Sequence, residues 1–484
     1  MIIHRLNRPL HNVLLAVTLF SSSFAEARDW KLSSPAELKK TLKHVQPGDS
    51  LILQDGVWTN AQLVFKARGT AAQPITLRAQ TPGAVILTGN SSVRLGGEWL
   101  VVSGLRFQDG ACPGGHVISF RADSDEPANH SRVTDCAMVN YNSGDRAGSS
   151  FWVSLYGVSN RVDHCRFEGK NDGSPTVTVW LDGKPNHHRI DHNYFLRRPP
   201  LGRNGGETLR VGDSRTSLQD SFTVVELNRF EDCSGEAEYI SNKSCANIYR
   251  FNTFVECQGA LVLRHGHRCT VEGNWFLGRH QPGTGGVRVI GEDHRIVNNY
   301  FADLAGTDFE SALPVVAGIP NSKLNEYFQV KRAVIAFNTF VHCRQNLTFG
   351  VGHGQRGRSE PALDCVFANN LVVGTNGPLV RMLHAPVNLV WQGNLFWGAP
   401  VGLPETPGIR VQNPQLQLPT DGIWRPGPAS PALGAAVGSF LFLTQDIAGT
   451  PRGEKKDIGC FQLPAAASGR GPLAVTDVGP GWMR

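Results

Sequence analysis

No apolar stretch in this 484-residue chain is long enough to cross a bilayer as a helix; the run over residues 13–20 is too short, and an integral membrane protein is not expected. Lysine and arginine are scattered rather than clustered. No nucleic-acid-binding module is recognisable either, so DNA and RNA are not expected partners. Zinc-ligand spacing is missing too. Of the ten cysteines, Cys233, Cys245, Cys257 and Cys269 follow one another at steps of twelve, which matches no zinc pattern. Most of the ten occupy apolar positions of strand-like segments. A chain of this length has core enough without cross-links, so most are expected as buried free thiols.

What is present at the start looks like a leader. Arg5 and Arg8 precede the apolar run, and Ala25, Glu26 and Ala27 have the small-x-small form of a signal-peptidase site. Residues 1–27 are expected to be removed as a signal peptide, sending the protein to the periplasm or the medium. No cysteine follows the cleavage point, which argues against a lipoprotein. Without this segment the formal net charge falls from +6 to about +5, a mild basic excess that suits an acidic substrate.

A short unit recurs through the chain: alternating apolar residues followed by Asn-x-Phe or a near equivalent. It ends at Phe195, Phe230, Phe254, Phe276, Phe301, Phe340, Leu371 and Phe396, with degenerate copies at Met138 and Phe167. Asn228, Asn252, Asn274 and Asn299 are separated by 24, 22 and 25 residues. That period fits one coil of an all-β, right-handed parallel β-helix, with short strands of period-two alternation stacked coil on coil. Asparagine at the turns tolerates left-handed backbone and can stack on its copies. A leucine-rich repeat is the rival, but its leucine spacing is absent and no helix recurs.

A solenoid needs its ends covered. Ser34, Pro35, Ala36 and Glu37 form a capping-box pattern, and Leu38, Leu42 and Val45 follow at helical spacing, predicting an amphipathic capping helix over 35–45. The composition turns rich in Gly, Ala and Pro after residue 464. The expected organisation is one β-helix domain over 28–464, then a flexible tail over 465–484.

Three polar-rich stretches fall in successive coils: residues 201–214, 235–245 and 261–267. Glu236 and Glu238 are two apart and on a strand face the same side. Arg264 follows Lys243 by 21 residues, close to one coil. Asn204, Glu236, Glu238, Lys243 and Arg264 are thus predicted to converge on one face. Each alone would be a solvated strand face, a surface charge or a turn; the convergence at coil spacing argues for function.

These stretches, with DHCRFEGK, VWLDGKPNHHRIDHNYF, GRNGGETLRVGDS, SNKSC and LRHG, resemble polysaccharide lyase family 6, which holds alginate lyases and chondroitinase B. The resemblance covers most of the chain and is densest from Arg161 to about Tyr300. It implies calcium ligands at Asn204, Glu236 and Glu238, a general base at Lys243 and a general acid at Arg264. It also implies that Arg288 grips a neighbouring uronate, with His265 a further substrate contact if a bend turns it toward Arg264. The implied reaction is β-elimination on an anionic 4-linked uronate polysaccharide by a monomeric enzyme, alginate first and dermatan sulfate second.

The chemistry is consistent with that expectation. The C5 proton of a uronate is poorly acidic because its loss puts a second negative charge beside a carboxylate. Hard oxygen ligands suit Ca²⁺, which would offset that charge. Lysine carries its proton at neutral pH, so a basic role for Lys243 is expected to depend on the metal. Guanidinium scarcely deprotonates, so Arg264 is expected to stabilise the leaving oxygen and relay a proton from water. A β-helix glycoside hydrolase would need paired acids and lacks its Asp-Asp and Arg-Ile-Lys style motifs here. A non-catalytic glycan-binding β-helix would have no reason to gather these five residues.

Overall fold

The computed structural model describes residues 26–465 and 469–484, so the expected leader, apart from its last two residues, lies outside the described residues. Three long sheets of 14, 13 and 14 strands run through the chain, and every neighbouring pair of strands in them is parallel. Each coil contributes one strand to each sheet. In one coil these are Ile248–Arg250, Thr253–Val255 and Gly259–His265. This is the parallel β-helix that the repeat predicts. No helix among the described residues is long and apolar enough to cross a membrane.

The inward residues form ladders because each coil places the same position over the last. Phe167, Phe195, Phe230, Phe254, Phe276, Phe301 and Phe340 stack in one column with ring centroids 4.6 to 5.1 Å apart. Above Phe340 the column continues through Val372, since the register pairs Phe340 with Val372 and Thr339 with Leu371. The repeat in that coil is therefore one residue later than expected from Leu371. The adjacent pair Asn369 and Asn370 makes the motif readable in two frames, and backbone pairing chooses the second.

At the corner between the first two strands of each coil stands a second column: Asn193, Asn228, Asn252, Asn274, Asn299, Asn338, Asn370 and Asn394. Each side-chain amide donates to the next asparagine's Oδ1 at 3.0 to 3.1 Å, and that oxygen also accepts the preceding asparagine's backbone N–H. The left-handed backbone falls on the residue before, as at Leu227 (φ 55°), Phe251 (φ 56°) and Asn298 (φ 57°). The expected stacking of asparagine on its copies is therefore present, through buried hydrogen bonds, whereas the left-handed geometry expected of the same residue falls one position earlier. Asn274→Ala removes the bonds to Asn252 and to the Tyr249 carbonyl and leaves buried polar groups unpaired. It should destabilise by about 3 kcal/mol, read as a lowered denaturation midpoint in urea.

Nine of the ten cysteines are buried and none is in a disulfide, as expected from their apolar positions. The N-terminal helix is shorter than predicted, Pro35–Thr41, with Leu38 in the core. Ser34 accepts from the Glu37 N–H, but Glu37 reaches back to Ser33 N–H rather than to Ser34, a displaced capping box.

The C-terminal organisation also differs from expectation. Coils end at Ile409–Val411, and the chain then turns back along the outside of the solenoid. Ile423, Ile447 and Phe461 pack on Trp275 and Tyr300, while Phe440 and Leu443 pack on Ala336 and Phe337. Residues 469–484 continue toward the N-terminal coils instead of forming a loose tail. The Leu473 N–H bonds Thr253 Oγ1, and Trp482 Nε1 bonds the Asp135 carbonyl. A Gly- and Pro-rich segment suits such a strap, which anchors through a few side chains and borrows its backbone partners from the turns beneath it.

Candidate functional site

The third sheet carries the polar stretches. Its strands Leu209–Gly212, Glu238–Lys243, Gly259–His265 and Thr284–Val289 are consecutive neighbours. On its outer face lies a cleft of about 590 Å³, lined among others by Asn204, Glu236, Glu238, Gln258 and Glu310. Asn204 sits in the loop before the first of these strands, Glu236 in the loop before the second, and Glu238 begins that strand. The two loops touch through glycines. A Cβ on Gly206 would lie 2.3 Å from the Gly235 carbonyl oxygen, and one on Gly235 would lie 2.0 Å from that of Gly206. That contact lets Glu236 Oε2 accept from Gly205 N–H at 2.9 Å and Gly206 N–H at 3.4 Å.

Lys243 and Arg264 stand further along the same face. Lys243 Nζ is 3.7 Å from Glu207 Oε1, and Arg264 Nε is 3.7 Å from Glu238 Oε1. Lys243 and Arg264 thus meet carboxylates at Glu207 and Glu238, while Asn204 shares the cleft lining with Glu236 and Glu238. Glu207 was not among the expected site residues. It is buried, and its Oε2 has no hydrogen-bond partner. Its offset of 36 residues from Lys243 is no multiple of the coil period, so spacing gave no signal for it.

Arg198 is a second residue that sequence reasoning missed. Buried to 3 % exposure, it donates to the carbonyls of Gly205, Gly206, Lys170, Asp172 and Ser174, and so holds the Asn204 loop from beneath. Burial pushes its guanidinium down to about 10. The ammonium of Lys170, paired with Asp172, is pushed down to about 7 by burial and by Arg198.

Arg264 and His265 both turn to the outer side, against strict alternation. The cause is a register shift: Asn242 pairs with Leu263 but Lys243 pairs with His265, leaving Arg264 as an extra residue. Arg264 Nη1 then lies 3.3 Å from His265 Nδ1. His265 is not on the cleft surface, however. It is 1 % exposed, with Nε2 3.3 Å from Ser214 Oγ, and burial with the cations Arg264 and Lys243 pushes it down to about 3. A neutral imidazole beside Arg264 braces the guanidinium.

Arg288 is likewise largely buried. It is 5 % exposed, and its donors go to the Phe309 carbonyl at 2.8 Å and Glu310 Oε1 at 3.0 Å, with Glu238 Oε1 3.9 Å away. It lies beside the carboxylates as a counter-charge, with Nε and Nη2 engaged and no hydrogen bond at Nη1 among the described residues. The loops around 304–330 and 344–364 meet just past it. Arg358 and Arg264 both lie over the Tyr327 ring, at 4.8 and 4.1 Å, and Arg264 also donates to the Asn325 and Glu326 carbonyls. Together these loops cover Arg264 on the side of the C-terminal coils.

Among the described residues no three His, Cys, Asp or Glu side chains close on a common point. The candidate donor set is instead two carboxylates with the amide oxygen of Asn204. Its electrostatics fit a cation: burial, then Glu207 and Glu238, push the Glu236 carboxyl up to about 8. A cation beside these oxygens would relieve that repulsion, and oxygen donors are the set a hard divalent ion takes.

Fold and site together define a parallel β-helix protein with a charged cleft on the outer face of one sheet. The chain matches the family described as Chondroitinase B over residues 32–398, and so belongs to that family, polysaccharide lyase family 6. Among solved structures, the alginate lyase AlyGC of this family aligns with a TM-score of 0.80 and 42 % identity, over 83 % of this chain and 55 % of AlyGC. A variant of AlyGC gives 0.83 and 38 %, over 94 % and 58 %. A mannuronic acid specific family 6 lyase from human gut microbiota gives 0.73 and 32 %, over 80 % and 91 %. The chain thus spans little more than half the length of AlyGC. No curated protein matches it.

Proposed function

We propose that this protein is a polysaccharide lyase that cleaves alginate by calcium-assisted β-elimination. The observation that carries this reading is that Lys243 and Arg264 each meet one of three crowded carboxylates, Glu207 and Glu238 beside Glu236. Similarity to AlyGC and to the mannuronic acid specific lyase supports alginate as the substrate. The leader-like residues support action outside the cytoplasm.

Asn204, Glu236 and Glu238 would hold Ca²⁺, which would neutralise the uronate carboxylate and so acidify its C5 proton. Lys243 takes that proton onto Nζ. The C5 electron pair forms the C4–C5 double bond, and the C4–O4 bond breaks. Arg264 stabilises the departing O4, which takes its proton from water held at the guanidinium. Arg288, Glu310 and His265 act by position: the first two fix Glu238, and the third fixes Arg264.

A lyase leaves a C4–C5 double bond conjugated to the carboxylate, which absorbs in the ultraviolet, whereas a hydrolase does not. Purified protein with Ca²⁺ should raise that absorbance on alginate and much less on dermatan sulfate. Sugar reducing ends without the absorbance would mean hydrolysis and would end the lyase reading.

A further inference from the structure

The outer face of the third sheet continues from Lys243 toward the N-terminal coils, away from Tyr327. Its pairing puts Ser154, Thr178, Arg210 and Ser241 in one row. Two residues further along each strand stand Tyr156, Trp180, Gly212 and Lys243, with Arg121 following Ser119 in the next coil out. Gly212 has no side chain to separate Trp180 from Lys243.

In this row aromatic rings and guanidinium groups are layered. Arg121 lies 3.9 Å over Tyr156, the Tyr156 and Trp180 rings stack at 6.1 Å and 9°, and Arg210 lies 4.9 Å over Trp180. His116 and Phe151 flank the stack, edge-on to Tyr156 and Trp180 respectively. All six side chains are partly exposed. Neither Arg121 nor Arg210 meets a carboxylate among the described residues. The contrast with the first sheet is direct: there Arg132, Arg161, Arg189 and Arg250 are each met by Asp163, Asp191 or Glu226. Ring stacking fixes each guanidinium plane; Arg121 Nη2 also donates to Tyr156 Oη at 3.4 Å, and the other N–H groups are left for an acceptor. Arg210 Nε and Trp180 Nε1 are both shielded from solvent without a hydrogen-bond partner.

We propose that this Arg121–Tyr156–Trp180–Arg210 ladder is a distal docking strip for the uronate chain, extending the cleft on the N-terminal side. Its two guanidinium groups take carboxylates of sugar residues beyond the cleaved bond, and its ring edges take their C–H faces. Coils are about 4.8 Å apart, so Trp180 stands roughly 10 Å from Lys243 along the axis and Arg121 roughly 19 Å. A regular anionic chain matches two fixed cations set three coils apart.

The inference rests on the alginate-lyase reading for its substrate, so its test has a binding arm that needs no turnover. Arg121→Gln and Trp180→Ala are compared with the wild type on an alginate trimer, too short to reach Arg121, and on an octamer. KM for the octamer should rise about tenfold more than KM for the trimer in each variant. In the Lys243→Gln background, calorimetric Kd for the octamer should weaken by a similar factor when Arg121→Gln is added, and the effect should shrink in high salt. Equal changes for both lengths with a lowered melting temperature would assign the ladder to folding and overturn the proposal. Trp180→Phe, which keeps the stack, would then fail to restore the length dependence. Octamer binding that Arg121→Gln weakens, without ultraviolet-absorbing product from the wild type, would leave the strip standing and remove the lyase reading. Product formed with length dependence untouched would remove the strip alone.

Discussion

Lys243→Gln is expected to lower kcat on alginate by about 10³-fold, with KM changed far less, because the amide cannot accept the C5 proton. Gln is a cleaner test than Ala. Lys243 is the cation nearest to buried Glu207, at 3.7 Å, and Ala would leave that carboxylate facing a void. Lys243→Ala should therefore lose turnover and also some stability, by about 1 to 3 kcal/mol, whereas Gln keeps a donor in place. Circular dichroism and a melting curve separate the two effects. Retention of more than about a tenth of wild-type kcat in Lys243→Gln would remove Lys243 from the role of base.

The second large effect concerns calcium. Treatment with EDTA should reduce turnover by at least about 100-fold, and added Ca²⁺ should restore it. Activity is not the sole readout. Calcium that binds only the folded state raises stability by about 2.7 kcal/mol at 100 times Kd, so the wild-type melting temperature should climb with Ca²⁺. In the double variant Glu236→Gln, Glu238→Gln that climb should vanish. The carboxylate repulsion at Glu236 is relieved there too, so the variant's melting temperature without metal should match or exceed that of the metal-free wild type. Activity indifferent to EDTA, together with a calcium-independent melting curve, would rule out the cation role for these residues.

Much of this is legible in the amino-acid sequence alone. Coil period follows from chain length per turn, and a repeated Asn-x-Phe marks it because identical residues meet only when coils stack in register. The same arithmetic placed Glu236, Glu238, Lys243 and Arg264 on one face. Where it slipped, the cause was a choice left to backbone pairing. Asn369 and Asn370 offer two frames, and the ladder takes Asn370. Lys243 and Arg264 are 21 residues apart, yet an extra residue in the strand pairs Lys243 with His265.

Burial was the part least open to sequence reasoning. His265 and Arg288 have the chemistry of ligand-binding groups, but neighbouring coils and the 304–330 loop cover them. Glu207 and Arg198 looked ordinary, and the contact of Gly206 with Gly235 is what draws them under the site. The chain after Val411 carries no repeat, so nothing local tells that it folds back along the coils.

By itself, then, the sequence determined the solenoid, its period and the sheet that bears the charged cleft, because these depend on local alternation and on repetition of like residues. Which charges face the cleft, which lie beneath it, and the path of the described residues after Val411 are set by the fold. Those outcomes depend on contacts between coils distant in sequence, where a one-residue shift or a covering loop changes what a side chain meets.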